Sequence, residues 1–183
     1  VLLAICCFNE FKDGKDVALP ANAPQIIDEI AKMYSRKVQR FSVESSDKAD
    51  ENTRHLAACQ TWSRDALFTT MKVLSIMRDK NKALHQLVEE IPKFHVSDRE
   101  MMINFSPIKL MDIFKDDLYK TAFATEGVAL TFGDTKALLT PSKKGNRLKI
   151  LVEADNVETA EEYSGIIMGK IAAEITGKGY KNK

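Results

Sequence analysis

Ile26, Ile27, Ile30 and Met33 recur at three- and four-residue steps behind Pro24, which is the spacing of one helix face with a proline in its first turn. Upstream, Val1 to about Phe11 reads as another helix, ended by the turn pair Asp13-Gly14. Val17-Ala18-Leu19 reads as a short buried strand stopped by Pro20. From Lys37 to Val43, apolar Val38, Phe41 and Val43 mix with Arg36, Gln39 and Arg40, the pattern of a half-buried strand. Helix, strand, helix, strand predicts an α/β subdomain built on a parallel pair, a mixed sheet with helices on both faces.

Glu44 to Gln60 is polar and irregular, and it predicts a loop with room for a short helix over Thr53 to Cys59. Ser63-Arg64-Asp65 then opens a strong helix in which Leu67, Phe68, Met71, Leu74 and Met77 form one stripe, expected to face a core. Asn81 closes it. Ala83 to Glu90 reads as a second short helix ended by Pro92, and Lys93 to Phe105 as a connecting strand. A boundary is expected at the Asn104 to Pro107 turn, giving units 1–104 and 105–183.

In the second unit Ser106 and Pro107 suit the cap and first position of a helix. Ile108, Met111, Phe114, Leu118 and Ala122 would line one face of it. Val128, Leu130 and Phe132 alternate as a strand, Gly133-Asp134 turns the chain, and Lys136 to Thr140 continues as a second strand. Leu148, Ile150 and Val152 mark a third. Asp155 is the expected cap of a last helix, with Glu158 three residues on and Gly177 as its stop. The pattern predicts an α+β subdomain, an antiparallel sheet with two helices.

Composition narrows the function classes. The 183 residues carry 27 Lys and Arg against 26 Asp and Glu, so the net charge of +1 gives no general attraction to nucleic acid or anionic membrane. The apolar run Val1 to Phe8 is too short to cross a bilayer and lacks the flanks of a signal peptide. Three cysteines, Cys6, Cys7 and Cys59, fit no disulfide framework and suit a cytoplasmic protein, Cys6 and Cys7 as small core thiols. The opening Val-Leu-Leu-Ala-Ile has neither Met nor cap, so the chain is expected to be part of a longer protein.

Several segments, in order, resemble the α-D-phosphohexomutase superfamily, the phosphomannomutases and phosphoglucomutases. Asp16-Val17-Ala18-Leu19-Pro20-Ala21-Asn22-Ala23-Pro24 is similar to the strand, proline and helix start of that family's third domain. Arg64-Asp65-Ala66-Leu67-Phe68 resembles its helix opening Asp-Gly-Leu, and Leu87 to Phe94 its third-domain end. Thr140-Pro141-Ser142-Lys143-Lys144-Gly145-Asn146-Arg147, followed by a strand ending Val152-Glu153-Ala154, stands where the family has Arg-Pro-Ser-Gly-Thr-Glu-Pro and Val-Glu-Ala. The resemblance implies a four-domain enzyme with a phosphorylated serine, a magnesium-holding aspartate loop, a sugar-reading loop and a phosphate loop. It assigns residues 1–104 to the third domain and 105–183 to the fourth.

The sequence departs from that pattern. It has no Thr-x-Ser-His-Asn-Pro, no Asp-Gly-Asp-Gly-Asp and no Gly-Glu-x-Ser-Gly. In the phosphate loop Pro141 and Ser142 persist, Thr140 replaces the arginine, and Lys143-Lys144-Gly145-Asn146 replaces Gly-Thr-Glu-Pro. A phosphate cradle wants converging amides, a hydroxyl and a cation, and the arginine fork matches phosphate best. Ser142, Lys143, Lys144 and Arg147 supply a hydroxyl and three cations with no acid between them, a weak phosphate site. The same residues also make a plain hairpin turn with a solvated tip.

Other candidates are bland. His55 and Cys59 share a helix face but lack further metal ligands, His85 and His95 stand alone, and Asp116, Asp117 and Glu126 read as solvation. No catalytic residue, metal or cofactor is expected in this chain; magnesium is an option only for the expected longer parent. The reading is a non-catalytic or regulatory phosphohexomutase-like module of a sugar-phosphate or sugar-nucleotide enzyme of the mannose-1-phosphate guanylyltransferase (nucleotidyltransferase) type. The alternatives are the C-terminal half of an active phosphomannomutase or phosphoglucomutase, and an interaction domain that keeps only the fold. Expected partners are a weakly held sugar phosphate and the parent's N-terminal domains, with no nucleic acid and no membrane.

Overall fold

A computed structural model describes residues 1–42, 49–103, 107–115, 120–142 and 146–179. The chain divides into two units, Val1–Pro92 and Lys93–Lys183. The first holds α1 (Leu2–Lys12), β1 (Val17–Pro20), α2 (Ile26–Met33), β2 (Val38–Phe41), α3 (Glu51–Cys59), α4 (Ala66–Lys80) and α5 (Leu84–Glu89). The second holds β3 (His95–Met102), α6 (Pro107–Ile113), β4 (Lys120–Ala124), β5 (Gly127–Phe132), β6 (Thr135–Pro141), β7 (Arg147–Ala154) and α7 (Val157–Gly179).

In the first unit β1 and β2 pair in parallel, Val17 opposite Val38 and Pro20 opposite Phe41, as the alternation of helix and strand predicts. Val17, Ala18 and Leu19 are fully buried. Gln60 closes the outer edge of β1: its Oε1 accepts from the Ala18 N–H and its Nε2 donates to the Asp16 carbonyl, both at 2.9 Å. The next outward position is Pro20, which has no N–H to leave unpaired. Local signals set the helix starts. The Asp50 carboxylate accepts from Thr53 N–H at 3.0 Å to cap α3, and Asp65 accepts from Leu67 and Phe68 N–H at 2.8 and 3.2 Å to cap α4.

The apolar stripe of α4 is a correction. Leu67, Met71 and Leu74 are 67%, 56% and 58% exposed, and Phe68 is exposed beside them. The helix packs through Val73 and Ile76 instead, on the side that meets α1. The expected loop of residues 44–60 contains α3, which starts earlier than Thr53 because Asp50 caps it; residues 43–48 lie outside the described residues.

The second unit is a five-stranded antiparallel sheet in the order β3-β7-β6-β5-β4. Its buried face is the predicted one: Val128, Leu130, Leu139, Leu148, Ile150 and Val152 have no exposed surface and meet Leu110 and Phe114 of the α6 region and Ile167 and Ile171 of α7. Three strands were expected and five are present, because β3 pairs along its whole length with β7 and β4 pairs with β5. The pairing of β3 with β7 also puts the division between Pro92 and Lys93, ahead of the expected turn at Asn104.

The start of this unit differs in detail too. Ile108 is 66% exposed while Leu110 and Phe114 are buried, and Ala122 lies in β4 rather than on a helix, because α6 ends at Ile113. Ser106 and Leu118 lie outside the described residues. Asn156, not Asp155, caps α7: its Oδ1 accepts from Thr159 N–H at 2.8 Å. That helix continues past Gly177 to Gly179. Gly127 begins β5 at φ +119°, and a Cβ there would stand 2.0 Å from the Leu139 carbonyl oxygen, so the β4–β5 turn requires glycine.

Candidate functional site

The candidate phosphate loop is the β6–β7 hairpin. Its base is a regular antiparallel ladder in which Thr140 faces Lys149 and Pro141 faces Leu148. The Ser142 N–H donates to the Arg147 carbonyl at 2.8 Å, which closes the loop. The structure therefore brings Ser142 and Arg147 together through their backbones, while Lys143 and Lys144 lie outside the described residues. The Ile103 N–H donates to the Asn146 carbonyl at 2.6 Å, so the chain just beyond β3 is tied to the far side of the loop.

The electrostatics differ from the run of cations read in the sequence. β3 lies beside β7, with Glu100 opposite Lys149 and Met102 opposite Arg147. This register places Glu100 Oε1 3.5 Å from Arg147 Nη1 and Asp98 Oδ2 3.1 Å from Lys149 Nζ. The Arg147–Glu100 pair is solvated, 64% and 56% exposed, and is worth at most about 1 kcal/mol. An anion at the loop must still compete with Glu100 for the one described guanidinium. Thr140, at the arginine position of the resembling loop, has a buried Oγ1 with no partner among the described residues. It supplies no charge. Glu100 was missed because β3 was assigned to the first unit; an edge strand rich in acids beside a basic strand was the available signal.

The other sequence candidates are dispersed. His55 Nε2 and Cys59 Sγ stand 3.8 Å apart on exposed α3. His85 and His95 are exposed on α5 and β3. Asp116 and Asp117 lie outside the described residues. Among the described residues no three His, Cys, Asp or Glu side chains stand together as a metal site. The aspartate loop that the resemblance assigns to magnesium has no counterpart in this sequence, and the described residues do not fit that ion. Cys6 and Cys7 are buried in α1, where desolvation pushes the Cys6 thiol up to about 12 and Cys7 well above its ordinary value, which disfavours the thiolate that a nucleophile needs.

Charged groups that sequence reasoning did not single out hold the first unit together. The Arg40 guanidinium donates to the carbonyls of Pro20, Ala23 and Pro24 at 3.2, 2.6 and 2.9 Å and to the Asp28 carboxylate, fixing the β1–α2 loop. Buried Glu10 of α1 meets Lys72 of α4 at 2.6 Å. Glu90 accepts from Lys12 at 2.8 Å and Lys82 at 2.6 Å, and these two bonds hold its carboxyl down to about 2.

Comparison with known proteins bears on what this arrangement is. No family model matches the chain. Over 158 residues it is 26% identical to a phosphoglucomutase/phosphomannomutase of Thermococcus kodakarensis, covering 75% of this chain and 34% of that one. Over 196 aligned positions it is 23% identical to a phosphoglucosamine mutase of Methanococcus maripaludis, covering 97% and 44%. A solved phosphoglucomutase/phosphomannomutase family protein of Burkholderia thailandensis shares the fold at a TM-score of 0.63 and 12% identity, over 94% of this chain and 41% of that one. The two sequence likenesses are to phosphohexomutase-type enzymes, and the structural one is a likeness of fold. The chain spans less than half the length of each of these phosphohexomutase-type relatives. Among the described residues no helix is long and apolar enough to cross a membrane.

Proposed function

We propose that this chain serves as a phosphohexomutase-like module of a cytoplasmic sugar-phosphate or sugar-nucleotide enzyme, giving it fold and a weak anion contact rather than catalysis. The observation that carries the reading is the β6–β7 hairpin, where Thr140 stands in place of a guanidinium fork and Arg147 is paired with Glu100. Phosphoryl transfer needs an activated nucleophile and preorganised charge to meet the developing anion. Among the described residues of the hairpin the one cation at the loop is Arg147, and Glu100 already pairs with it. The test is incubation of the pure chain with mannose 1-phosphate, an activating bisphosphate and magnesium. No turnover above a blank is expected; turnover that survives repurification would refute the reading. In the amide spectrum, mannose 1-phosphate is expected to move Ser142 and Arg147 only in the millimolar range, on the order of −4 kcal/mol, and less at high salt.

A second reading is the C-terminal half of an active mutase, favoured by the mutase names of both curated relatives. The sequence upstream of Val1 in the source genome separates the two. A serine nucleophile and an aspartate loop there support an active mutase, whereas a glycine-rich nucleotidyltransferase segment supports the module reading and the mannose-1-phosphate guanylyltransferase type of parent.

A further inference from the structure

The first unit contains a cavity of about 260 Å³ between the end of β2 and α3. Its apolar wall is Phe41, Ala49, Ala57 and Ala58, and its polar lining is Thr53, Arg54 and Arg64, with no carboxylate among the described lining residues. The Thr53 hydroxyl is already engaged by Gln39 Oε1 at 2.8 Å and by Asp50, its neighbour in the cap of α3. The two guanidinium groups are therefore the donors left to a guest.

Their settings differ. Arg64 is held in place: its Nη2 donates to the Ala57 carbonyl at 3.2 Å and its cation lies 5.8 Å from the centre of the Phe41 ring. Those contacts leave N–H groups of its five-donor fork for a ligand. Arg54 is exposed on α3 and forms no ion pair among the described residues. Four other arginines behave otherwise: Arg40 is spent on three carbonyls and Asp28, Arg78 on Asp79, Arg99 on Glu161 and Arg147 on Glu100. Two guanidiniums on one small cavity with alanine and phenylalanine walls suit a guest that is anionic at one end and apolar at the other.

We propose that this cavity binds a small oxyanion on a compact apolar body, a phosphate ester or carboxylate, clasped by Arg54 and Arg64. The planar fork of arginine matches either oxyanion in a bidentate manner. The volume falls just below the usual span of drug-sized pockets, about 300–1,000 Å³, so the guest is a small metabolite and not a polymer segment. This site goes beyond the function proposed above and does not rest on it, because the hairpin belongs to the other unit and reports separately.

The test is an amide NMR titration of the whole 183-residue chain with inorganic phosphate and, in a second arm, with isobutyrate, at ionic strength held constant with chloride. The expected result is saturable shifts at Ala49, Thr53, Arg54, Ala57 and Arg64 in the millimolar range. The Arg54→Gln/Arg64→Gln variant should weaken them at least tenfold, and exposed Arg54→Gln alone should weaken them too, which keeps the test alive if the double variant folds poorly. A response to phosphate assigns an ester and a response to isobutyrate assigns a carboxylate. No saturable shift at these amides in either arm, or unchanged affinity in both variants, overturns the site. Shifts confined to Ser142 and Arg147 would overturn it while leaving the hairpin reading intact.

Discussion

β1 and β5 are both short apolar strands, and they are secured in different ways. β5 lies between β4 and β6, its faces set by the tight turn at Gly127 and the turn at Gly133-Asp134, so that Val128, Leu130 and Phe132 all point into one core. Among the described residues β1 has a strand on one side only. Its other edge is held by the side chain of Gln60, its following loop by Arg40, and the helices around it by Glu10 with Lys72 and Glu90 with Lys12 and Lys82. Backbone ladders fix register for every residue they contain. Side-chain ties act at single points, and each depends on the charge or amide that makes it. The second unit should therefore be most sensitive to lost volume, and the first to lost charge.

The largest effect is expected at Leu130. It is fully buried on β5, an interior strand of the five-stranded sheet. Leu130→Ala should cost about 2–5 kcal/mol, read by urea unfolding followed through the amide resonances of β5 to β7. A cost under about 1 kcal/mol would mean that the core collapses around the gap, and the contrast between the units would fail.

What was legible in the sequence follows the same division. Period-two alternation with turn residues between the runs located β5, β6 and β7, because a hairpin contains its own pairing partner within a few residues. β3 was placed in the wrong unit, since its partner β7 lies some fifty residues further on and nothing local announces the pairing. Glu100 and Asp98 were therefore missed beside the hairpin, and the candidate site was read as more basic than it is. At the start of α7, Asp155 and Asn156 are both good caps by type, and only backbone geometry chooses Asn156. Gln60 and Arg40 could not be found, because a side chain that replaces a strand or clasps a loop has no period.

A smaller effect is expected at Glu90. Its folded carboxyl titrates at about 2 against an ordinary 4.5, chiefly through hydrogen bonds from Lys12 and Lys82. A depressed carboxyl contributes stability above its unfolded value and loses it as the pH falls through the folded one. Stability from this clamp is thus present above about pH 4.5 and fades towards pH 2. Glu90→Gln should cost about 1 kcal/mol at pH 7, discounted for solvent screening, and the difference from the parent should vanish near pH 2. Urea unfolding of both proteins across that range checks it. A difference that persists at pH 2 would assign the effect to packing and remove the charge-based account of the first unit.

The smallest effect is expected on the outer stripe of α4, and it tests the comparison most directly. Leu67 and Leu74 recur at helical spacing as convincingly as any core stripe, yet they are 67% and 58% exposed. The helix is secured from other directions: Asp65 caps its start, Asn81 ends it at φ 50°, Val73 and Ile76 are buried, and Lys72 reaches Glu10. Periodicity shows that a helix face is apolar; it does not show what covers the face. Leu67→Gln with Leu74→Gln keeps two good helix formers and removes only exposed apolar surface, so each change should stay within about 0.5 kcal/mol. Thermal unfolding at low protein concentration measures it. A combined loss well above about 1 kcal/mol would mean that the stripe is buried against something in solution, and the first unit would then depend on apolar contact as the second does. A neutral result would leave α4 held by its caps, its inner face and one half-buried ion pair, as its contacts imply.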